Sequence, residues 1–365
     1  MKQKIAFLIY DIAALGGAER VVSALANYFT DYYQVTIITI LKADVFYPLN
    51  KDVKIVHCRE HEVLKSNLYL FLKNNMGLYQ QIKQQLKNEQ IDLLISFMTT
   101  SNVLGCLAAK SLGIPCIISE RTNPYIDRPN FVWAKLKNYA YPKADYLVVQ
   151  SQLIKGFYER NIDAEKIVIL PNPLSNELTD SKDISLKRKN IILNVGRLQT
   201  GKNQDLLIRA FANINNNDWK LIFLGDGPLL AEYQALAKKL NQEKNIIFAG
   251  KTDDVATYYN TSKIFAFTSE FEGFPNALIE AMYFELACIS TDCPSGPSEL
   301  IDPNENGYLI AIGDQDNLEK YLITLMNNDA LRSSIGKKGY ETASNYEIVK
   351  VATKWKTLIE KLLNA

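Results

Sequence analysis

Strand-length apolar runs alternate with amphipathic helical stretches from one end of this 365-residue chain to the other. That alternation restricts the chain to parallel sheets covered by helices on both faces, because successive parallel strands need a crossover and the crossover is usually a helix. In the first half, strands are expected at 5–10, 35–40, 54–58, 92–97, 116–120, 146–150 and 167–170, with helical periodicity at 18–29, 78–89 and 102–112. Pro171-Asn172-Pro173 breaks the pattern, and the polar run 175–190 reads as an interdomain linker. The alternation then restarts, with strands at 191–195, 220–224, 246–249, 264–268, 288–291 and 308–312 and helices near 203–212, 229–240, 276–284 and 318–325. Two doubly wound α/β domains follow. Residues 348–363 form a further helix whose apolar stripe of Val351, Trp355, Leu358 and Leu362 needs a surface to cover it.

Composition narrows the class. With 47% hydrophobic and 22% charged residues and a net charge of +1, the chain reads as soluble and globular, not disordered or collagen-like. Its balanced charge offers no concentrated basic face for nucleic acid, and no stretch reaches the ~18 apolar residues of a membrane span. Lys2 and Lys4 ahead of an apolar run superficially resemble a secretory signal, but the run stops at Asp11, short of the ~7–15 residues of a signal core. A first buried strand and a cytoplasmic location are expected instead. The five cysteines are irregularly spaced and should be reduced thiols. His57, Cys58 and His61 fit no common zinc spacing, so no metal is expected.

Open parallel sheets bind ligands beyond the carboxyl ends of their strands, so chemistry should sit on the loops that follow strands. After the first strand, Leu15-Gly16-Gly17-Ala18-Glu19-Arg20 opens a helix; the glycines allow close backbone approach and the helix end offers N–H groups to an anion. The third glycine of a dinucleotide fingerprint is missing. In the second half, Gly196-Arg197-Leu198 and Gly201-Lys202-Asn203 follow a strand; a guanidinium fork and a mobile ammonium together suit a diphosphate. Gly225-Asp226-Gly227-Pro228 reads as a turn admitting a flat base or ribose, with Pro228 at the first helical position. Between Ser269 and Ala281, Pro275 begins a helix, so Glu272 precedes it and Glu280 lies about one turn inside, around N–H groups near Asn276 and Ala277 expected to be free. Carboxylates accept hydrogen bonds from vicinal hydroxyls. The set therefore suits a diphosphate with a sugar ring at each end.

Glu272, seven intervening residues and Glu280, together with Gly196-Arg197-Leu198 and Gly201-Lys202-Asn203, resemble the signature of the retaining, nucleotide-sugar-dependent glycosyltransferases of family 4, which have the GT-B fold. Gly16-Gly17-Ala18-Glu19-Arg20, Leu170-Pro171-Asn172-Pro173 and Asp292-Cys293-Pro294-Ser295-Gly296-Pro297 resemble further family elements in order, so the likeness spans the chain. It implies an N-terminal acceptor-binding Rossmann-like domain at 1–172, a nucleotide-sugar-binding one at 173–345, a cleft between them, and a helix at 346–365 returning to the first. By the same resemblance Arg197 and Lys202 would hold the diphosphate, Glu272 the transferred sugar and Glu280 the ribose. The backbone of Phe274, Pro275, Asn276 and Ala277 would meet phosphates and sugar. Gly196 would let the loop approach, Lys251 and Thr252 would border a uracil, and Gly16 and Gly17 would close over diphosphate and acceptor.

Where family members often carry a histidine, this chain has Ser119-Glu120-Arg121. Glu120 and Arg121 then face a phosphate of donor or acceptor, or Arg121 is structural, paired with Glu120 or Asp127. The implied reaction moves a hexose or N-acetylhexosamine from a UDP-sugar to a glycan, forming an α-glycoside. The departing diphosphate takes the acceptor proton, and neither metal nor cofactor takes part. The chain resembles bacterial enzymes that extend glycans on polyprenyl diphosphate, in surface polysaccharide or glycoprotein glycan assembly. Between Asn123 and Asp145, Phe131 and Trp133 interleave with Lys135, Lys137 and Lys143, either resting on an anionic membrane or packing rings inward with lysines solvated. The alternative class is a nucleotide-sugar epimerase or a non-catalytic nucleotide-binding protein of the same fold; a dehydrogenase is disfavoured by the incomplete glycine pattern.

Overall fold

The computed structural model describes residues 2–13, 16–61, 68–126, 129–214, 216–294 and 296–364. Leu15, Asp127 and Ser295, which belong to segments discussed above, lie outside the described residues. The chain divides into two compact units, Met1–Ser175 with Ile348–Ala365, and Asn176–Glu347.

In the first unit the elements run β1 (Lys4–Ile9), α1 (Gly17–Phe29), β2 (Gln34–Leu41), β3 (Lys54–Arg59), α2 (Leu68–Asn88), β4 (Leu93–Phe97), α3 (Thr99–Ser111), β5 (Cys116–Ser119), α4 (Phe131–Ala140), β6 (Tyr146–Val149), α5 (Gln152–Tyr158) and β7 (Ile167–Ile169). Seven parallel strands order as β3-β2-β1-β4-β5-β6-β7, with Ile5 of β1 level with Val35 on one side and Leu93 on the other. Ile5 to Ile9 are all essentially inaccessible, as a strand covered on both faces requires. The period-2 alternation divides them: Ile5, Phe7 and Ile9 enter the core beneath α1, while Ala6 and Leu8 enter the core that includes residues of α2, α3 and α5.

The second unit runs α6 (Asn176–Asp180), β8 (Ile191–Val195), α7 (Gln204–Ile214), β9 (Lys220–Leu224), α8 (Leu230–Lys239), β10 (Ile246–Gly250), α9 (Val255–Thr261), β11 (Ile264–Phe267), α10 (Asn276–Tyr283), β12 (Ala287–Thr291), α11 (Pro297–Leu300), β13 (Tyr308–Ile310), α12 (Gln315–Met326) and α13 (Asp329–Ala343). Its six parallel strands order as β10-β9-β8-β11-β12-β13. In each sheet the strand order reverses beside the first strand, at β1/β4 and at β8/β11. Those are the points where loops leave in opposite directions and a crevice opens.

The last helix, α14 (Ile348–Leu363), belongs to the first unit. Val351, Ala352, Trp355 and Ile359 are wholly buried against the α1 side of that sheet, and Trp355 stacks on Phe97 at 6.0 Å. This is the surface that its apolar stripe required.

Two expectations need correction. The polar run 175–190 is not a free linker: it contains α6, Lys182 pairs with Glu285 at 2.8 Å, and Arg188 donates to the carbonyls of Phe284 and Glu285. Asn260 fastens the same run through Ser181 O and Asp183 N. These partners are distant in sequence, so the run's lack of apolar periodicity reflects polar docking, not freedom. The helix after β9 begins at Leu230, with Leu229 at its cap, so Pro228 lies in the preceding turn instead of the first helical position.

Candidate active site

The loops at the β8/β11 reversal bring the predicted cation and carboxylate together. Leaving β8, the chain passes Gly196 and Arg197 and reaches Gly201, whose φ of +86° is the left-handed region glycine tolerates. A Cβ there would lie 2.4 Å from the Phe271 ring. The Gly201 and Lys202 carbonyls accept from Glu270 N at 2.8 Å and Thr268 Oγ1 at 2.9 Å, lashing this loop to the one after β11. Lys202 is thereby held beside Glu272, and its ammonium pairs with Glu272 Oε1. Arg197 is exposed; its carbonyl accepts from Gln204 Nε2 at 3.1 Å, while its guanidinium makes no hydrogen bond or ion pair among the described residues. Its guanidinium is available to a ligand. Cys293 lies close enough to feel both charges; burial first, then Glu272, pushes its thiol up to about 12, partly offset by Lys202.

Glu280 is no surface glutamate. It lies in α10, 6% exposed, and Tyr259 on α9 donates its hydroxyl to Oε2 at 3.0 Å. Nothing in the local sequence marks Tyr259 as the partner of a carboxylate 21 residues further on. At the start of α10 the expectation of free amides holds only in part. Asn276 N donates to Phe274 O at 2.9 Å, while Leu278 and Ile279 both reach Pro275 O. The Ala277 amide is left without an acceptor among the described residues. Gly296, at φ +135°, lies against Pro275, where a Cβ would come within 2.4 Å of the ring.

The glycines after β9 serve backbone approach, not room for a base. A Cβ on Gly225 (φ +133°) would lie 2.1 Å from Gly196 O, and one on Gly227 would lie 2.1 Å from Leu198 O. Leu198 N donates to Asp226 O at 3.0 Å across the same contact. The β9 loop therefore supports the loop that carries Arg197. Lys251 and Thr252, after β10, are exposed; Thr252 Oγ1 accepts from Asp254 N at 3.1 Å.

In the first unit, Gly16 caps α1 and Gly17 is its first residue. The Glu19 carboxylate folds back so closely that a Cβ on Gly16 would meet Oε2 at 1.9 Å. Burial, opposed by its own N–H and aided by Asp11, raises the Glu19 carboxyl above the usual range.

Glu120 is completely buried and accepts from Lys137 Nζ at 2.8 Å, Tyr141 Oη at 2.7 Å, Thr122 Oγ1 at 2.9 Å and Thr99 Oγ1 at 3.2 Å. Burial alone would raise its carboxyl; the Lys137 charge and these hydrogen bonds outweigh it and hold the group below the usual carboxylate value. Among the described residues Arg121 makes no side-chain ion pair with Glu120, although its N–H donates to Glu120 Oε1 at 3.2 Å; the other expected partner, Asp127, lies outside the described residues. Nη1 donates to Leu170 O at 3.1 Å and Asn172 Oδ1 at 2.9 Å, and the guanidinium lies 5.4 Å from the Phe97 ring centre and 5.8 Å from that of Trp355. Burial lowers it to about 9, partly offset by Glu120, so it stays charged at neutral pH.

The lysine array on α4 is also corrected. Lys137 is 7% exposed and paired with Glu120, because its position faces inward with Tyr141 one turn on. It cannot meet lipid head groups. Trp133 packs edge-on against Phe71 at 6.0 Å and is only partly accessible. Phe131 is 72% exposed, and Lys135 and Lys143 are exposed, their ammonium groups 4.4 Å from the ring centres of Phe131 and Tyr139. His57 is held by Thr39 at 2.7 Å, and among the described residues no three His, Cys, Asp or Glu side chains gather as a metal site would require. Among the described residues no helix is long and apolar enough to cross a membrane.

Residues 15–178 match the family described as Glycosyltransferase Family 4, and residues 176–342 match Glycosyl transferases group 1. A protein of Campylobacter jejuni, the GalNAc-alpha-(1->4)-GalNAc-alpha-(1->3)-diNAcBac-PP-undecaprenol alpha-1,4-N-acetyl-D-galactosaminyltransferase, is 31% identical over 99% of each chain. Another from the same organism, the N-acetylgalactosamine-N,N'-diacetylbacillosaminyl-diphospho-undecaprenol 4-alpha-N-acetylgalactosaminyltransferase, is 33% identical over 96% of this chain and 97% of its own. Among solved structures, Anabaena Alr3699/HepE in complex with UDP shares the fold with a TM-score of 0.80 at 18% identity, covering 98% of this chain and 100% of its own. With two parallel-sheet units, charged loops at a strand-order reversal and full-length relatives of this kind, the chain belongs to the family 4 glycosyltransferases of GT-B fold.

Proposed function

We propose that this glycosyltransferase moves a hexose or N-acetylhexosamine from a UDP-sugar onto a glycan borne on polyprenyl diphosphate, keeping the donor's anomeric configuration. Support comes from the undecaprenol-linked acceptors named for the two Campylobacter relatives and the UDP bound to the Anabaena neighbour. The observation that carries the reading is the unpartnered Arg197 guanidinium on the loop whose Lys202 pairs with Glu272 of the loop after β11. A diphosphate with its sugar would offer the Lys202 ammonium an anion and the Glu272 carboxylate hydroxyl donors.

In the transfer, an acceptor hydroxyl oxygen bonds to the anomeric carbon on the face from which the diphosphate leaves. The carbon–diphosphate bond breaks, and the acceptor proton passes to the departing diphosphate oxygen. Arg197 and Lys202 stabilise its growing charge, a contribution of about 10²–10³ in rate per donor group in comparable sites. Glu280 would hold the ribose, Lys251 and Thr252 would border uracil, and the backbone of Gly196 and of Phe274 to Ala277 would approach the phosphates and sugar. Gly16 and Gly17 would face the acceptor. No metal is required. Phe131, Lys135 and Lys143 would rest on the cytoplasmic face of an anionic membrane.

The test is transfer from a panel of UDP-sugars to a polyprenyl-diphosphate glycan, with the product anomer read by NMR. Arg197→Ala should lower kcat more than a hundredfold, and EDTA should leave the rate unchanged. Turnover of Arg197→Ala at the wild-type rate, or strict dependence on Mn²⁺, would overturn the reading. Lys135→Glu with Lys143→Glu should weaken binding to phosphatidylglycerol vesicles; unchanged binding removes the membrane contact.

A further inference from the structure

A cavity lies in the first unit, lined by residues of α4 and α5. Its volume is about 440 Å³, within the ~300–1,000 Å³ of small-molecule sites. Tyr125, Phe157, Tyr158 and Tyr141 line it as a ladder of rings, the first two edge-on at 5.1 Å and the last two 6.0 Å apart, with Pro124 and Ile162 beside them. Among the described lining residues the only charged group is Lys137. Its ammonium is neutralised by Glu120 and sits 5.0 Å and 5.2 Å from the Tyr141 and Tyr158 ring centres. Among the described lining residues a charged occupant would therefore find no free counter-charge. An apolar one would find rings.

The surroundings identify the occupant. On α4 the lining residues Ala134, Lys137 and Asn138, with Tyr141 at its C-cap, follow i, i+3, i+4, i+7 spacing and share a face. Phe131, Lys135 and Tyr139 form the adjoining stripe, Lys135 lying one residue, about 100°, round the helix from Ala134. Phe131 and Tyr139 are 72% and 61% exposed, and neither Lys135 nor Lys143 has an acidic partner among the described residues. An apolar cavity beside two free ammonium groups and exposed rings is complementary to an apolar chain ending in a strong anion.

We infer that this cavity holds the first isoprene units of the acceptor's polyprenyl chain, with its diphosphate at Lys135 and Lys143. The inference rests on the polyprenyl-diphosphate reading above and adds where the lipid binds. The methyl-branched chain offers its CH groups to four ring faces and edges, and burial of that surface supplies the affinity.

Isothermal titration of the full chain with farnesyl diphosphate, dodecyl diphosphate and inorganic diphosphate tests it. Farnesyl diphosphate should bind at least tenfold more tightly than either other probe, with a negative heat-capacity change from apolar burial. Ala134→Gln, which puts an amide into the cavity, and Asn138→Trp, which fills its mouth from an exposed position, should each remove that advantage while leaving the melting temperature unchanged. Equal affinity for the three probes, equal affinity for the two lipids, or a farnesyl preference untouched by both variants overturns the inference. Competition by a neutral oligosaccharide instead of dodecyl or farnesyl chains would overturn it in favour of a sugar subsite. A chain that glycosylates the polyprenyl acceptor but shows no farnesyl preference keeps the proposed function and loses only this site.

Discussion

Replacing Lys137 by Met isolates the buried ion pair of the first unit. Methionine keeps the apolar stem and removes the ammonium, leaving the fully buried Glu120 carboxylate with Tyr141, Thr122 and Thr99 as its remaining side-chain donors. Breaking a buried pair by removing one partner costs about 3–5 kcal/mol. Because those donors stay, we expect the lower end, about 3 kcal/mol. The sign of the pH effect follows from the carboxyl. In the wild type it is held below its ordinary value, so its contribution is present above that value and fades as pH falls through the folded one. Without Lys137, burial is less opposed, the carboxyl titrates higher, and protonation relieves the stranded charge. The deficit should therefore shrink as pH is lowered from about 8 to about 5. Urea unfolding followed by amide exchange of β5 and α3 reads this unit without assuming that both units unfold together. Lys135→Met, at an exposed site on the same helix, should stay within about 0.5 kcal/mol of wild type. A Lys137→Met deficit below about 1 kcal/mol, or one that grows on acidification, would refute the reasoning.

Gly225→Ala combines a φ of +133° with a Cβ 2.1 Å from Gly196 O; it should cost about 1–3 kcal/mol in strain and shift the Arg197 loop, seen as loss of the UDP-induced rise in melting temperature. Trp355→Ala should destabilise the first unit by about 3–5 kcal/mol, because the ring is wholly buried on Phe97; a melting temperature within 2–4 °C of wild type, roughly what 1 kcal/mol would produce, would contradict the packing. With its thiol pushed up to about 12, Cys293 should resist iodoacetamide at about pH 8 in the native protein and react only on unfolding; rapid native labelling mapped by mass spectrometry would count against its buried position.

The strands were legible because each is a short apolar run between turn residues, and β1 to β13 fall within one or two residues of the expected bounds. The Lys202–Glu272 pairing could not be read directly, since the lash between Gly201 O and Glu270 N is tertiary. Glu120 was noticed as part of a motif, but its partner Lys137 looked like one of several solvated lysines. Spacing held the missing signal: Lys137 is one helical turn before Tyr141, and both donate to Glu120. In sequence Gly225 and Gly227 suggest space for a ligand, whereas the space they make is taken by another loop of the same chain. From sequence alone a glycine reports close approach without saying what approaches.

The return of α14 to the first unit makes 176–347 an insertion within a domain whose two segments lie at opposite ends of the sequence. On the ribosome the first 175 residues emerge long before Trp355, so Phe97 and Arg121 must wait uncovered while the whole second unit is synthesised. The inserted unit, being contiguous, can finish folding first. A nascent chain released before its final helix would expose the sheet face that α14 covers, and so present an apolar surface suited to chaperone capture.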